Sequence, residues 1–355
     1  MRFKDFCLGL GLGALLAPAQ AEDGAALAQA QGIPYPAVIA HRGASFDAPE
    51  STAPAYQLAR DLGADYLEMD LQRSRDGVLV VVHDNDLRRT SDVAERFPER
   101  ANSPVSAFTL AELKALDAGS WFNRAYPQRA RAAFAGVRIL TLDEVIDIAE
   151  GNPARTPGLY IETKMPGQFP GIEQDLQRAL AKRGWLDRPG RVVLQSFDRD
   201  SLALLHQAMP EVPKVLLLWL GKAHVEPAPV PTLAESGLAD KAAWYARQQP
   251  RDRGEFARWL DFARQAGAVG TGPSTALAAG GEQSYADLAR PWMNRMAHDK
   301  GLLVHVYTVD EPVDFKRVSE AGVDGIFSNR PGALLKFHGR PAAQDEPTLL
   351  EAGGW

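Results

Sequence analysis

A chain of 355 residues, 45% hydrophobic and 24% charged, has ample material for a core and suits one large α/β barrel. Its formal charge is −6; residues 1–21 carry Arg2, Lys4 and Asp5, net +1, so their removal leaves −7. An acidic chain without a Lys/Arg run excludes the usual nucleic-acid binders.

Residues 1–21 combine a basic start at Arg2 and Lys4, an apolar run from Phe6 to Ala17, and Ala19-Gln20-Ala21 before Glu22. That is the layout of a secretory signal cleaved near Ala21, which predicts a periplasmic or secreted protein. About 12 apolar residues fall short of the ~20 that cross a bilayer, so no stable membrane anchor is expected. Cys7, the sole cysteine, lies in this segment behind Lys4-Asp5-Phe6, not the small residues of a lipoprotein signal. The mature protein is expected to have no thiol, disulfide or lipidated cysteine.

Residues 22–36 read as a loose arm and 338–355 as a similar tail. Between them, apolar runs at 37–40, 66–71, 159–162, 191–196, 214–218, 267–272, 302–308 and 323–328 alternate with helical patterns. Eight strands separated by helices predict a closed (β/α)8 TIM barrel. Thr109-x-x-Glu112 and Thr141-x-x-Glu144 read as capping boxes, and Gly63 as a helix stop. From about Asn85 to Arg138 the spacing between strands is too long for a simple loop, which predicts an insertion over the barrel mouth. The Pro-rich stretch 224–237 predicts another long mouth-side loop.

The C-terminal ends of these strands carry His41 and Arg42, then Glu68 and Asp70, Glu162 and Lys164, and Gln195 and Ser196. Active sites of this fold lie at that face. Glu68 and Asp70 are two apart and share one face of a strand. With Glu162 they form an all-oxygen cluster suited to a hard divalent ion, calcium or magnesium, and not to zinc; solvated strand-end carboxylates are the plainer alternative. A two-residue turn at Arg75-Asp76 or Asp76-Gly77 would set His83 across from Glu68 or Asp70. A cation, Arg42 and Lys164 around two imidazoles describe a phosphate-ester site with His41 and His83 as general acid and base. Simple salt bridging of Arg42 and Lys164 to the carboxylates is equally compatible. His206, His224, His298, His305 and His338 have no such setting, and His305 reads as a core residue.

The segments "HRGASFDAPEST", "GADYLEMDLQRSRDGVLVVVHDNDLRRTSDV", "IETKMP", "VVLQSFD", "VHVYTVD" and "AGVDGIFSNRP" together resemble the glycerophosphodiester phosphodiesterases, over about residues 37–336. "TSDVAERFPERA" and "VHVYTV" resemble their secreted, periplasmic branch. The resemblance implies a barrel with an insertion after its second strand, a divalent metal that is commonly calcium, and hydrolysis of glycerophosphodiesters to glycerol 3-phosphate and an alcohol. By position it makes His41 and His83 catalytic, Glu68, Asp70 and Glu162 metal ligands, and Arg42 and Lys164 phosphate contacts. It places Glu50 behind these groups in a supporting role. Gly43 is expected to let the backbone pass close to the substrate. Ser51 stands where the family more often has Asn or His, and Asn329 where it often has Asp. The competing readings are a secreted, non-catalytic phosphodiester-binding protein on the same fold, a lysophospholipase D-like enzyme, or a cell-wall polymer phosphodiesterase. Within the insertion, Phe108, Trp121, Phe122 and Tyr126 are candidates to wall a pocket, with an apolar mini-core as the plainer role.

Overall fold

The computed structural model describes residues 23–219, 232–281 and 283–355. The signal segment, and most of the Pro-rich stretch 224–237 with His224, lie outside the described residues. Nine strands form one sheet: β1 (Ala37–Ala40), β2 (Tyr66–Arg73), β3 (Leu79–Val81), β4 (Gly158–Thr163), β5 (Val192–Ser196), β6 (Lys214–Leu218), β7 (Gly270–Pro273), β8 (Leu303–Val306) and β9 (Gly325–Ser328). All but β3 are parallel, and β1 pairs with both β2 and β9, which closes an eight-stranded (β/α)8 barrel. Each of the eight expected apolar runs became one barrel strand.

The two-residue period of the strands sorts their side chains into two cores. On β2, Leu67, Met69 and Leu71 join the large cluster packed under the helices, while Tyr66 turns inward with Tyr160, Val193, Val215, Leu303 and Phe327. Those inward residues floor the barrel. Two residues further along the same faces come Glu68, Glu162, Gln195 and His305, all buried. The chain thus writes an apolar floor and a polar ceiling into successive inward positions of the same strands.

Both capping boxes form, at Thr109–Glu112 and Thr141–Glu144, and Gly63 ends the helix Ala53–Leu62 at φ 97°. His305 is the core residue expected: it is fully buried, with Nδ1 2.9 Å from the Tyr160 hydroxyl. Among the described residues no helix is long and apolar enough to cross a membrane.

Three expectations need correction. The N-terminal arm is not loose, because Gly24–Ala30 is a helix that buries Ala28, with Ile33 behind it, against the barrel floor. The C-terminal tail contains the helix Glu346–Ala352, which buries Leu350, and the Trp355 indole donates to Gln57. In both, a few apolar residues in a polar segment supplied the anchor. The hairpin register also differs. Ser74 N–H donates to Val78 O around a three-residue turn with Gly77 at φ 87°, and Leu71, Gln72 and Arg73 face Val81, Val80 and Leu79. One extra turn residue shifts the ladder, so extended pairing would set His83 opposite Met69 rather than a carboxylate. Pairing instead ends at Val82, where Gln72 Nε2 donates to the carbonyls of Val82 (2.8 Å) and Asp84 (2.7 Å), and the bent chain returns His83 to the site.

The segment from Asn85 to Arg138 is built of short helices around a core of its own, formed by Leu87, Val93, Val105, Phe108, Leu113, Leu116 and Ala118 against Val80, Val82 and Ile139. Phe108 and Phe122 are fully buried and do not wall a pocket. Trp121 is partly buried and lies 5.9 Å beneath the Arg89 guanidinium; Tyr126 is exposed. Alanine at Phe108 or Phe122 is therefore expected to cost about 3–5 kcal/mol of stability. Alanine at Trp121 or Tyr126 should lower the urea midpoint less than either and alter substrate preference as well. Parallel denaturation curves and a substrate panel check both halves.

Candidate active site

Glu68 and Asp70 on β2 and Glu162 on β4 converge at the C-terminal end of the barrel. Asp70 and Glu162 are direct neighbours in the ladder, and one oxygen of each of the three carboxylates lies within 4.8 Å of the others. All three are buried. Burial and then Asp70 push Glu68 well above the usual carboxylate range; burial raises Glu162 to about 7 although Lys164 opposes it. Asp70 is held far below that range, because Lys164, His83 and Arg42 outweigh its burial. Asp70 Oδ2, Gln195 Oε1 and Arg42 Nε are buried without a hydrogen bond. Two carboxyls pushed upward beside unsatisfied oxygens are the donor set of a hard-cation site. Glu68, Asp70 and Glu162 are the residues that could hold it.

Arg42 and Lys164 border this cluster. Arg42 Nε lies 3.4 Å from Asp70 Oδ2, and Lys164 Nζ lies 3.0 Å from Glu162 Oε1 and 3.4 Å from Asp70 Oδ1. Both make the salt bridges that their positions suggested. Arg42 adopts φ 56°, which lets its backbone N–H donate to Glu68 Oε2 at 2.8 Å while its side chain reaches Glu50 Oε1 at 3.0 Å. Glu50 also receives Arg89 through Nη1 and Nη2, each at 2.7 Å. Burial alone would raise the Glu50 carboxyl, but Arg42 and Arg89 bring it down to about 2. Glu50 therefore aims Arg42 and ties it to the insertion.

Strain concentrates at the mouth. The three described non-glycine residues with positive φ are Arg42, Ser51 (59°) and Met165 (45°), one in the loop after β1, one where that loop meets its helix, and one beside Lys164. Ser51 N–H donates to Arg42 O, which holds the loop in this shape. Ser51→Gly should remove the left-handed penalty and raise stability by about 1 kcal/mol, read as a higher urea midpoint at constant slope. Gly43 also has a packing role: at φ 85° an added Cβ would lie 2.7 Å from the Ala55 backbone, so its absence admits the adjacent helix.

The two histidines approach from opposite elements. His41 follows β1, with Nδ1 2.7 Å from Asn329 Oδ1; His83 follows β3, with Nδ1 2.6 Å from Asp84 Oδ1. Burial, then Arg42, lowers His41 to about 3, and the same two causes lower His83. The His41 imidazole is therefore a neutral base under ordinary conditions.

Every residue expected at the site is therefore brought together. The partners behind them, Asn329, Asp310, Asp84, Arg89 and Gln195, were not assigned a role from the sequence. Asp84 and Arg89 fall in "HDNDLRRT", and only adjacency to His83 could have flagged them. Gln195 Nε2 donates to Glu68 Oε1 at 3.3 Å, as its inward position on β5 allows.

Residues 41–333 match the profile of the Glycerophosphoryl diester phosphodiesterase family. A glycerophosphodiester phosphodiesterase of Bacillus subtilis (strain 168) is 35% identical over 84% of this chain and 85% of its own length. One of Caldanaerobacter subterraneus subsp. tengcongensis is 30% identical over 84% and 96%. In fold, a solved Oleispira antarctica phosphodiesterase in complex with the product sn-glycerol-3-phosphate superposes with a TM-score of 0.58 at 23% identity, covering 86% of this chain and 97% of that one.

Proposed function

The chain belongs to the glycerophosphoryl diester phosphodiesterase family and is a phosphoric diester hydrolase, and on that premise we propose a metal-dependent mechanism in which His41 and His83 move the protons. The observation that carries this reading is the convergence of three inward carboxylates, two imidazoles, Arg42 and Lys164 at one end of the barrel. Glycerol 3-phosphate and an alcohol are the proposed products, in keeping with the product bound to the Oleispira protein.

Glu68, Asp70 and Glu162 would hold the ion, which when bound would supply Lewis-acid neutralisation of phosphoryl oxygens. The same residues orient the rest of the site. Asp70 releases Arg42 Nε and Lys164 Nζ toward the phosphate, where two further positive charges meet the charge that builds on its oxygens. Glu50 keeps the Arg42 guanidinium from swinging out. One imidazole accepts the proton of the attacking hydroxyl, and the other donates a proton to the departing alcohol oxygen. Overall, one water is consumed for each diester cleaved.

Calcium is the ion of this reading. The donors are all carboxylate oxygens, and a protein exported behind residues 1–21 would meet more calcium than the cytosol offers. The insertion, through Arg89, Trp121 and Tyr126, sets the preferred alcohol, because mouth loops vary while strand ends carry the chemistry. The test is a panel of glycerophosphodiesters with coupled detection of glycerol 3-phosphate, beside a lysophospholipid and bis(p-nitrophenyl) phosphate. Turnover of the lysophospholipid alone would redirect the reading to lipid; turnover of none would leave a binding protein.

A further inference from the structure

Two arms of the site come from different elements, and one side chain of the insertion grips the residue behind each. Arg42, in the loop after β1, is held by Glu50; His83, in the bend after β3, meets Asp84 Oδ1 through Nδ1. Arg89 lies between the two carboxylates. Its Nε and Nη2 edge donates to Asp84, to Oδ2 at 2.6 Å and to Oδ1 at 3.1 Å. Its Nη1 and Nη2 edge donates to Glu50, to Oε2 and Oε1 at 2.7 Å each. Each contact is a two-bond fork, and Nη2 belongs to both. The contacts therefore run Arg42–Glu50–Arg89–Asp84–His83 without a break.

Only a guanidinium fits the middle of that chain. A lysine would carry the same charge, but one ammonium cannot present two planar edges to two carboxylates. Burial would lower Arg89, yet Glu50 and then Asp84 raise it; burial would raise Asp84, yet His83 and then Arg89 hold it below the usual carboxylate range. The insertion fixes where Arg89 stands. Leu87 and Val93 on either side of it are fully buried in the insertion's own core, Ser91 Oγ donates to Leu87 O at 2.6 Å, and the Trp121 ring lies under the guanidinium. Its neighbour Arg88 shows the contrast, since it is exposed and pairs with Asp86, 2.7 Å away. The Arg89 side chain is itself 44% exposed, and ion pairs at that exposure add little to stability. Its effect is therefore expected on the orientation of the two arms and not on folding.

We propose that Arg89 is a positioning residue through which the insertion holds Arg42 and His83 in one fixed relation across the reacting phosphate. The proposal rests on the hydrolytic reading above. Without Arg89 each arm keeps its own carboxylate but loses its relation to the other, so kcat should fall more than KM rises.

Arg89→Ala and Arg89→Lys should each lower kcat by about tenfold or more with KM changed by less than about threefold, the pattern of misplaced groups, at a urea midpoint close to that of the wild type. Arg88→Ala should change neither constant. Methylguanidinium, at a concentration too low to denature, should restore part of the Arg89→Ala rate, and methylammonium should not. In double-mutant cycles Arg89→Ala should be non-additive with Glu50→Gln and with Asp84→Asn, because each pair breaks the same chain. Nitrogen NMR of the full chain labelled at histidine gives a reading that needs no turnover. Arg89→Lys should displace the His83 ring signals, assigned by their loss in His83→Gln, and leave in place those of His298, which pairs with Asp324 at the other end of the barrel. Full kcat in Arg89→Lys, additivity in either cycle, equal rescue by the two cations, or His83 signals that do not move overturn the proposal. A wild-type chain that turns over no diester would count against the hydrolytic reading, while the His83 signals would still decide the coupling.

Discussion

His41→Ala and His83→Ala are each expected to lower turnover of a glycerophosphodiester by ~10²-fold or more, the scale of a lost general acid or base. Calcium binding should stay nearly intact, because neither ring belongs to the carboxylate cluster. Excess metal should not rescue either variant. The two losses should separate on an ester with a p-nitrophenyl leaving group, which departs without a proton. His83→Ala should recover much of its rate on that ester if His83 is the donor, whereas His41→Ala should remain slow. Near-normal turnover of the natural diester by either variant would remove that histidine from the chemistry.

The second large effect concerns charge in the cluster. Glu68→Gln, Asp70→Asn and Glu162→Gln each take a negative charge from the proposed ion's shell, and each should weaken calcium binding by calorimetry while lowering activity at limiting metal. Excess calcium should restore part of that activity. The fold itself should gain from two of these changes. Burial and like charge push Glu68 and Glu162 upward in the structure, so their neutral amides relieve repulsion. A carboxyl whose folded pKa is raised contributes stability that is fully present below its unfolded pKa and is lost as pH rises through the folded pKa. For Glu162 that window runs from its ordinary range near 4.5 to about 7. Metal-free Glu162→Gln should therefore be less sensitive to pH across that window than the metal-free wild type. Asp70→Asn should be destabilising instead, since Lys164 and Arg42 lose their shared anion.

The barrel and its metal cluster were legible because both follow from short-range periodicity. Alternation along β2 puts Glu68 and Asp70 on the same inward face as Tyr66, and parallel order brings Glu162 beside them. No knowledge of loop paths is needed for that. The hairpin was less legible, since the choice between a two- and a three-residue turn depends on Gly77 and on the Ser74–Val78 hydrogen bond. His83 reached the site by a route that no register count foresaw, through Gln72 seizing two carbonyls beyond the strand. The supporting partners were hidden for a similar reason. Asn329 meets His41 across 288 positions of sequence and Arg89 meets Glu50 across 39, contacts fixed by where loops land and not by any period. The terminal segments looked loose because Ala28, Ile33 and Leu350 are isolated apolar residues in polar surroundings, and only the barrel floor and helix layer give them something to bury against.

The most direct test of the account is release of glycerol 3-phosphate from a glycerophosphodiester by the purified chain, measured before EDTA, after EDTA, and after add-back of calcium, magnesium or zinc. An all-carboxylate site predicts loss of activity on chelation and its return with calcium, with magnesium less effective and zinc least. Activity that survives chelation, or that zinc restores better than calcium, would contradict a hard-cation hydrolase built on Glu68, Asp70 and Glu162.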